Sequence, residues 1–178
     1  MNPVEIVPYK KRWAEEFGLL KTLLEERVDN VLEVVHIGST SVEGLCAKPI
    51  LDVTIIIENE VTFPLVRTSL ESLGYMWEGD KGVPGRQSFR QSSSLVPHTS
   101  SGQIWMKQHL YVCAKGNQQL RDHLTFRNYL RDHPGWRDAY GNLKQTLAKV
   151  YKFDREAYTE AKTEFVLARL RRAWELGY

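Results

Sequence analysis

The sequence predicts a mixed α/β fold, with a sheet-containing core over residues 1–115 and a helical extension over residues 116–178. Two observations lead to this prediction. In the first part, short apolar and β-branched segments alternate with helical segments and turn-forming residues. In the second part, apolar residues recur at helical spacing alone. The 178 residues are enough for a real core, and we predict a single domain over the whole chain.

The composition is that of an ordinary globular protein. Hydrophobic residues make up 42% and charged residues 26% of the chain, and the formal net charge of +2 gives no strong nucleic-acid signal. Apolar runs are too short for a membrane span, and the first residues lack the layout of a signal peptide. Cys46 and Cys113 match neither zinc nor redox-motif spacing, which fits a reducing compartment. We therefore expect a cytoplasmic protein without a membrane partner.

The first half of the core has the pattern of one helix and two strands. Residues 9–26 carry apolar side chains at helical spacing, and residues 31–36 are a short β-branched segment typical of a strand. Residues 50–57 predict a second strand, on which Asp52 and Thr54 share one face. The apolar stripe of the helix is Trp13, Phe17, Leu20 and Leu24, and that of the second strand is Leu51, Val53, Ile55 and Ile57.

The next segments predict a helix and a hairpin. The helix covers residues 62–73, with Thr62 as its cap and Gly74 as its end. Residues 75–78 and 87–90 are expected to pair as strands, because the residues between them are rich in turn-forming Gly, Pro and Asp.

After the hairpin the pattern changes from strand to helix. Residues 91–102 are polar and rich in Ser, and we expect a mobile loop there. Residues 104–114 predict a further strand, and from Asn117 onward the spacing is helical. Asp154 is the expected N-cap of one last helix that ends near Leu176. The strand would place Trp105, Lys107, His109 and Tyr111 on one face.

Five segments carry a resemblance to a known family. They are HIGSTSVEGLCAKPILDV (36–53), GVPGR (82–86), HLYV (109–112), FRNYLRDHP (126–134) and YKFDREAYTEAKTEF (151–165). In this order they resemble the GrpB family, and the match covers most of the chain. The resemblance implies a nucleotidyltransferase-like fold, and it implies relatives in which the same module is fused behind dephospho-CoA kinase. It implies a fold and a site rather than an established activity.

The nucleotidyltransferase pattern consists of a Gly-Ser turn followed by Asp-x-Asp on a strand. Gly38 and Ser39 match the turn, and Asp52 matches the first acid. Glycine lets backbone N–H groups approach a phosphate closely, and carboxylates hold the Mg²⁺ ions of such sites. The second acid is replaced by Thr54, whose neutral hydroxyl is a weak Mg²⁺ ligand. The sequence therefore argues against an ordinary two-metal transferase, and a degenerate nucleotide or phosphate binder is at least as well supported.

The candidate site residues follow from this pattern. Asp52 is the candidate catalytic and Mg²⁺-binding acid, and His109 is the candidate for proton transfer. The structural alternatives are that Asp52 pairs with a nearby cation and that His109 is a half-buried strand residue. The candidate phosphate or nucleotide contacts are Gly38, Ser39, Thr40, Lys48, Arg86 and Arg127. We interpret His36 as a hydrogen-bonded structural histidine, and His98, His123 and His133 as surface residues.

Three functional hypotheses remain open at this point. The first is a protein that binds a nucleotide or other phosphate-bearing small molecule with Mg²⁺ in a cleft between core and extension, with nucleotidyl transfer as its activity. The second is a non-catalytic regulatory or folding-assisting module that docks on a protein partner. The third is a single Mg²⁺ ion held by Asp52 and Thr54 and completed by the ligand's own phosphates. A second acid near Asp52 favours the first hypothesis, and a contiguous exposed apolar patch favours the second.

Overall fold

The computed structural model describes residues 3–178 and contains a five-stranded mixed sheet with helices on both faces. The sheet has the order β1-β2-β5-β4-β3, and its one parallel pair is β2 with β5. The strands are β1 (Glu33–Ile37), β2 (Leu51–Ile57), β3 (Tyr75–Trp77), β4 (Arg86–Gln91) and β5 (Gln108–Ala114). This architecture confirms the predicted mixed α/β class.

Within residues 3–178, six α-helices accompany the sheet. Two of them, α1 (Arg12–Arg27) and α2 (Phe63–Ser72), belong to the predicted core. The other four follow β5 and are α3 (Gln118–Asp132), α4 (Pro134–Val150), α5 (Arg155–Glu160) and α6 (Thr163–Glu175). Within residues 3–178, none of the helices is long and apolar enough to cross a membrane.

The main core lies on the apolar face of β2. Its four alternate residues are each at most 2% exposed, as their spacing predicts, because successive strand side chains point to opposite faces. The side chains of α1 and α2 cover this face. The strand contributes Leu51, Val53, Ile55 and Ile57, and the helices contribute Trp13, Leu20, Leu24, Val66 and Leu70.

The opposite face of the sheet is covered by α3, which packs Leu120 against Val35, Ile37 and Cys113. A further apolar cluster joins the loop between β1 and β2 to the last helices. Its buried members are Val42, Leu45, Tyr129, Leu130, Tyr140 and Ala173. The C-terminal helices therefore pack beside the segment that carries the Gly-Ser turn.

The segment before β5 differs from the prediction. The strand begins at Gln108 rather than at Ile104, so the expected alternation does not extend back to Trp105. Trp105 is buried in the main core, and its indole N–H donates to the carbonyl oxygen of Pro97 at 2.9 Å. The prediction that Trp105 shares a face with His109 is therefore wrong. The polar loop is likewise anchored, because Val96 is fully buried in the same core.

Two helix termini also differ from the prediction. Thr62 makes no capping bond, and Asn59 caps the preceding turn by accepting from the N–H of Val61. Asp154 does cap a helix, since its carboxylate accepts from the N–H of Ala157 at 2.9 Å. That helix ends at Glu160, however, and the predicted single last helix is divided into α5 and α6. At the junction the N–H of Lys162 bonds three residues back to Thr159, a tighter turn than an α-helix has.

Candidate functional site

The centre of the candidate site is a hydrogen-bonded pair, Asp52 and His109. They occupy neighbouring positions of the parallel strands β2 and β5, so the sheet register itself brings them together. Nδ1 of His109 lies 2.9 Å from Oδ1 of Asp52, and the two side chains are 35% and 31% exposed. A carboxylate accepts hydrogen bonds, so it favours the tautomer that carries its proton on Nδ1. Nε2 of His109 forms no hydrogen bond with any residue in 3–178.

Gly38 places the Gly-Ser turn directly against this pair. It follows β1, whose last residue, Ile37, is the register partner of Asp52. Its φ of +70° is one that side-chain-bearing residues rarely adopt, and a Cβ atom there would lie 2.5 Å from Oδ2 of Asp52. Ser41 closes the turn, because its hydroxyl donates to the carbonyl oxygen of Gly38 at 2.6 Å. The structure thus brings the predicted turn and the predicted acid together.

Thr40 is directed away from the pair. Its hydroxyl lies 2.9 Å from Nε2 of His36 and donates to the carbonyl oxygen of Ile50, and the side chain is 2% exposed. His36 stacks on the ring of Phe17 with 4.6 Å between centroids. Burial lowers the pKa of His36 to about 4, so it is neutral at physiological pH. Both residues support the turn from the α1 side of the sheet.

Lysine side chains lie beside the pair. Lys48 and Lys162 share the ring of Tyr158, with their Nζ atoms 5.4 and 4.3 Å from its centroid. Burial lowers the pKa of both lysines, that of Lys162 to about 8. The positive charge of Arg155 lowers the pKa of both further, and that of Lys48 lowers the pKa of Lys162. Asp52 raises the pKa of both lysines, so its carboxylate is close enough to interact with their charges. None of Lys48, Arg155 and Lys162 forms an ion pair with a carboxylate in the described part of the chain.

Arg86 approaches the site from β4. Its guanidinium lies over the ring of Tyr111, 4.8 Å from the centroid, and its Nε is buried without a hydrogen-bond partner among residues 3–178. Tyr111 is the register partner of Thr54, two residues along the strands from the Asp52–His109 pair. Burial raises the pKa of Tyr111 to about 12, and Asp52 contributes to this shift. Arg86 therefore adds a further cation on the same face of the sheet.

A cavity of about 220 Å³ lies between the Gly-Ser turn and the C-terminal helices. Gly38 and Ser39 line it from the turn, and His123 and Arg127 line it from α3. Arg127 also donates to the carbonyl oxygen of His36 at 2.8 Å, so it tethers α3 to β1 as well as facing the cavity. The remaining lining side chains are apolar or aromatic, namely Val42, Leu45, Phe126, Leu130, Tyr140 and Val166. The prediction that His123 is a surface residue is wrong, since this partly buried side chain faces the cavity and burial lowers its pKa.

Lys144 is a site neighbour that the sequence did not indicate. It is 2% exposed, its ammonium donates to the carbonyl oxygen of Cys46, and it lies 4.8 Å from the ring centroid of Tyr140. Burial lowers its pKa to about 7. The apolar stripe of α4 predicts which face of the helix is buried, but it gives no signal that a lysine belongs to that face.

The donor set does not fit a two-ion centre. Within residues 3–178, no three His, Cys, Asp or Glu side chains are grouped as metal ligands. Thr54 occupies the place of the second acid and is 2% exposed, and Oδ1 of Asp52 is engaged by His109. Two-ion sites need several carboxylates to hold both cations. The described residues therefore do not assemble such a centre around Asp52.

Comparison with known proteins decides the family. The chain matches the family described as "GrpB protein" over residues 3–172. It belongs to the GrpB family. A GrpB protein from Enterococcus faecalis of known crystal structure is 31% identical, with a TM-score of 0.81 over 96% of this chain and 98% of that one. The predicted family is thereby confirmed.

Two curated proteins extend beyond the GrpB-like region. The UPF0157 protein YqkA of Bacillus subtilis is 30% identical over 164 residues, which span 92% of this chain but 45% of that protein. A dephospho-CoA kinase of Mycobacterium leprae is 30% identical over 81% of this chain and 40% of that protein. This chain therefore spans less than half of the length of both relatives.

The fold of this GrpB protein is similar to that of a poly(U) polymerase of known structure. The Cid1 poly(U) polymerase, in its MgATP-bound H336N crystal structure, has a TM-score of 0.55 over 81% of this chain and 44% of that one. The two sequences are 12% identical. At that identity the likeness concerns the fold, and it confirms the predicted nucleotidyltransferase-like class.

Proposed function

We propose that this protein binds a phosphate-bearing small molecule, with nucleotides as the first class to test, in the cleft beside the Gly-Ser turn. The observation that carries the proposal is the set of partly buried cations around one acid. Lys48 and Lys162 are partly buried over the ring of Tyr158, the exposed Arg155 lowers the pKa of both lysines, and Asp52 raises it. Holding cations away from water costs free energy unless an anion compensates them. A phosphate group supplies that compensation.

Each part of such a ligand would have candidate contacts in this cleft. Backbone N–H groups of Gly38 and Ser39 would contact the phosphate, because successive N–H groups in a tight turn can form an anion-binding concavity. The lysines would neutralise its charge, and the Arg86 guanidinium would supply a two-pronged contact. The largely apolar cavity between the turn and the helices would hold the remainder of the ligand.

The geometry favours a ligand held by protein cations over one held by a resident magnesium centre. A Mg²⁺ ion in this proposal would arrive with the ligand's phosphates. Nucleotidyl transfer is the first reaction to assay, because the fold is nucleotidyltransferase-like.

Docking on a protein partner is the alternative function. It calls for a contiguous exposed apolar patch. The large exposed apolar side chains of the described residues lie on several elements, and single exposures of this kind are normal. Examples are Leu19 on α1, Leu65 on α2, Met76 on β3, Trp136 on α4 and Trp174 on α6. The fusion implied by the dephospho-CoA kinase relative keeps the alternative open to test.

A thermal-shift screen tests the proposal. Nucleotides, sugar phosphates and coenzyme A precursors are each added with Mg²⁺ and with a chelator. A ligand at about 100 times its Kd adds roughly 2.7 kcal/mol of stability, which raises Tm by a few degrees. We expect such a shift for the wild type and a smaller one for Lys162→Met, with Lys149→Met on the exposed side of α4 as the matched control. The absence of a shift with every phosphate compound would favour the docking alternative.

A further inference from the structure

The bond between Asp52 and His109 points to a role for the acid that differs from metal binding. Oδ1 of Asp52 accepts from Nδ1 of His109, and Oδ2 packs against the backbone of Gly38. The position where a second acid would stand is taken by the buried Thr54. An acid held in this way is well placed to orient a histidine, because it fixes both the ring and the tautomer.

His109 has the features of a group that exchanges protons with a ligand. Its Nδ1 is committed to Asp52, and its Nε2 forms no hydrogen bond within residues 3–178. About a third of its side chain is exposed, so the ring is accessible to a solute beside the Gly-Ser turn. Lys48, Lys162 and Arg155 provide positive charge near Asp52 and hence near the site of reaction.

We infer that His109, oriented by Asp52, accepts the proton of a hydroxyl group or water molecule that attacks a phosphate bound in this cleft. The inference rests on the proposed function. In the step, the oxygen of the attacking group forms a bond to phosphorus while its proton passes to Nε2 of His109. The bond from phosphorus to the leaving oxygen breaks, and its electron pair stays on that oxygen. The imidazolium then returns the proton to the leaving oxygen. His109 is the catalytic residue here, and Asp52 is a positioning residue.

Nitrogen-15 NMR of the histidine side chains tests this assignment, with inorganic pyrophosphate as the probe and a chelator present. His109→Gln identifies the His109 signals. We expect the wild type to carry its proton on Nδ1, and we expect pyrophosphate to shift the Nε2 signal. Asp52→Asn should lose the single tautomer and give a mixture of the two. A wild-type His109 protonated on Nε2, or a tautomer unchanged in Asp52→Asn, would overturn the inference.

Pyrophosphate affinity provides a second readout that separates the two roles of Asp52. If Asp52 is a positioning residue, Asp52→Asn removes a negative charge near the phosphate, and affinity with Mg²⁺ present should stay the same or rise. A metal-binding Asp52 would instead make the affinity fall in that variant, which would overturn the inference. Pyrophosphate that binds the wild type without moving the Nε2 signal would overturn the inference and leave the proposed function standing. A failure of pyrophosphate to bind would overturn both.

Discussion

Gly38 lies so close to Asp52 that a Cβ atom on the glycine would stand 2.5 Å from Oδ2 of the acid. The contact arises from the sheet, because Ile37 and Asp52 are register partners and Gly38 is the next residue along the chain. The Gly-Ser turn and the acid are therefore one structural unit. Any change that moves one of them displaces the other.

Alanine substitutions at two glycines separate the stability lost through this contact from the stability lost through backbone strain. Gly38→Ala should destabilise the protein through its φ of +70° and through the clash with Asp52, together by about 2–4 kcal/mol. Gly79→Ala is the matched control, since Gly79 has φ +76° and open space around it. Gly79→Ala should lower the free energy of unfolding only through the strain of its positive φ, by about 1–2 kcal/mol. Urea unfolding of both variants measures the difference, and equal losses would contradict the close contact.

The sheet and its central acid could be predicted because they follow from local alternation. Leu51, Val53, Ile55 and Ile57 fill the main core, and that places Asp52 on the opposite face whatever the tertiary details. The family resemblance then located the turn and the acid in one fold. Trp105 shows the limit of such reasoning. The alternating side-chain pattern in the sequence begins before Gln108, where the paired strand starts.

The electrostatic surroundings could not be predicted in the same way. Lys144 is buried because the carbonyl oxygen of Cys46 and the ring of Tyr140 accommodate it, and the contact with Cys46 is distant in sequence. Thr40 shows the converse, since a residue inside the predicted phosphate turn is used to hold His36. Side-chain direction in both cases depends on which element packs above, and single-sequence patterns do not contain that information.

The buried His36 predicts a loss of stability in acid. Its folded pKa of about 4 lies below the ordinary value of 6.5, so the unfolded chain binds the proton more readily. Stability should therefore fall as the pH drops from about 6.5 towards 4, by roughly 2 kcal/mol between pH 7 and pH 5. Denaturant unfolding at the two pH values measures this. His36→Gln should show a smaller loss over the same interval, and an identical loss would assign the effect to other groups.

The buried Lys144 predicts a gain of stability in mild alkali. Its folded pKa of about 7 lies below the ordinary value of 10.5, so the unfolded chain again binds the proton more readily. Stability should rise from about pH 7 towards pH 10.5, by about 1 kcal/mol per pH unit. Lys144→Met should flatten this rise, whereas Lys149→Met, on the exposed side of the same helix, should leave it unchanged. Unfolding curves at several pH values compare the three proteins, and a rise of equal slope in Lys144→Met would contradict the assignment.

Calorimetric titration with inorganic pyrophosphate tests the central claim most directly, because it measures the anion site without knowledge of the natural ligand. The account predicts that the wild type binds one pyrophosphate and that Lys162→Met binds it roughly tenfold more weakly, a difference of about 1.4 kcal/mol. Lys149→Met should bind it as the wild type does. Equal affinity in Lys162→Met and the wild type, or no binding by either protein, would contradict the claim that the cleft beside Asp52 and the Gly-Ser turn is a phosphate site.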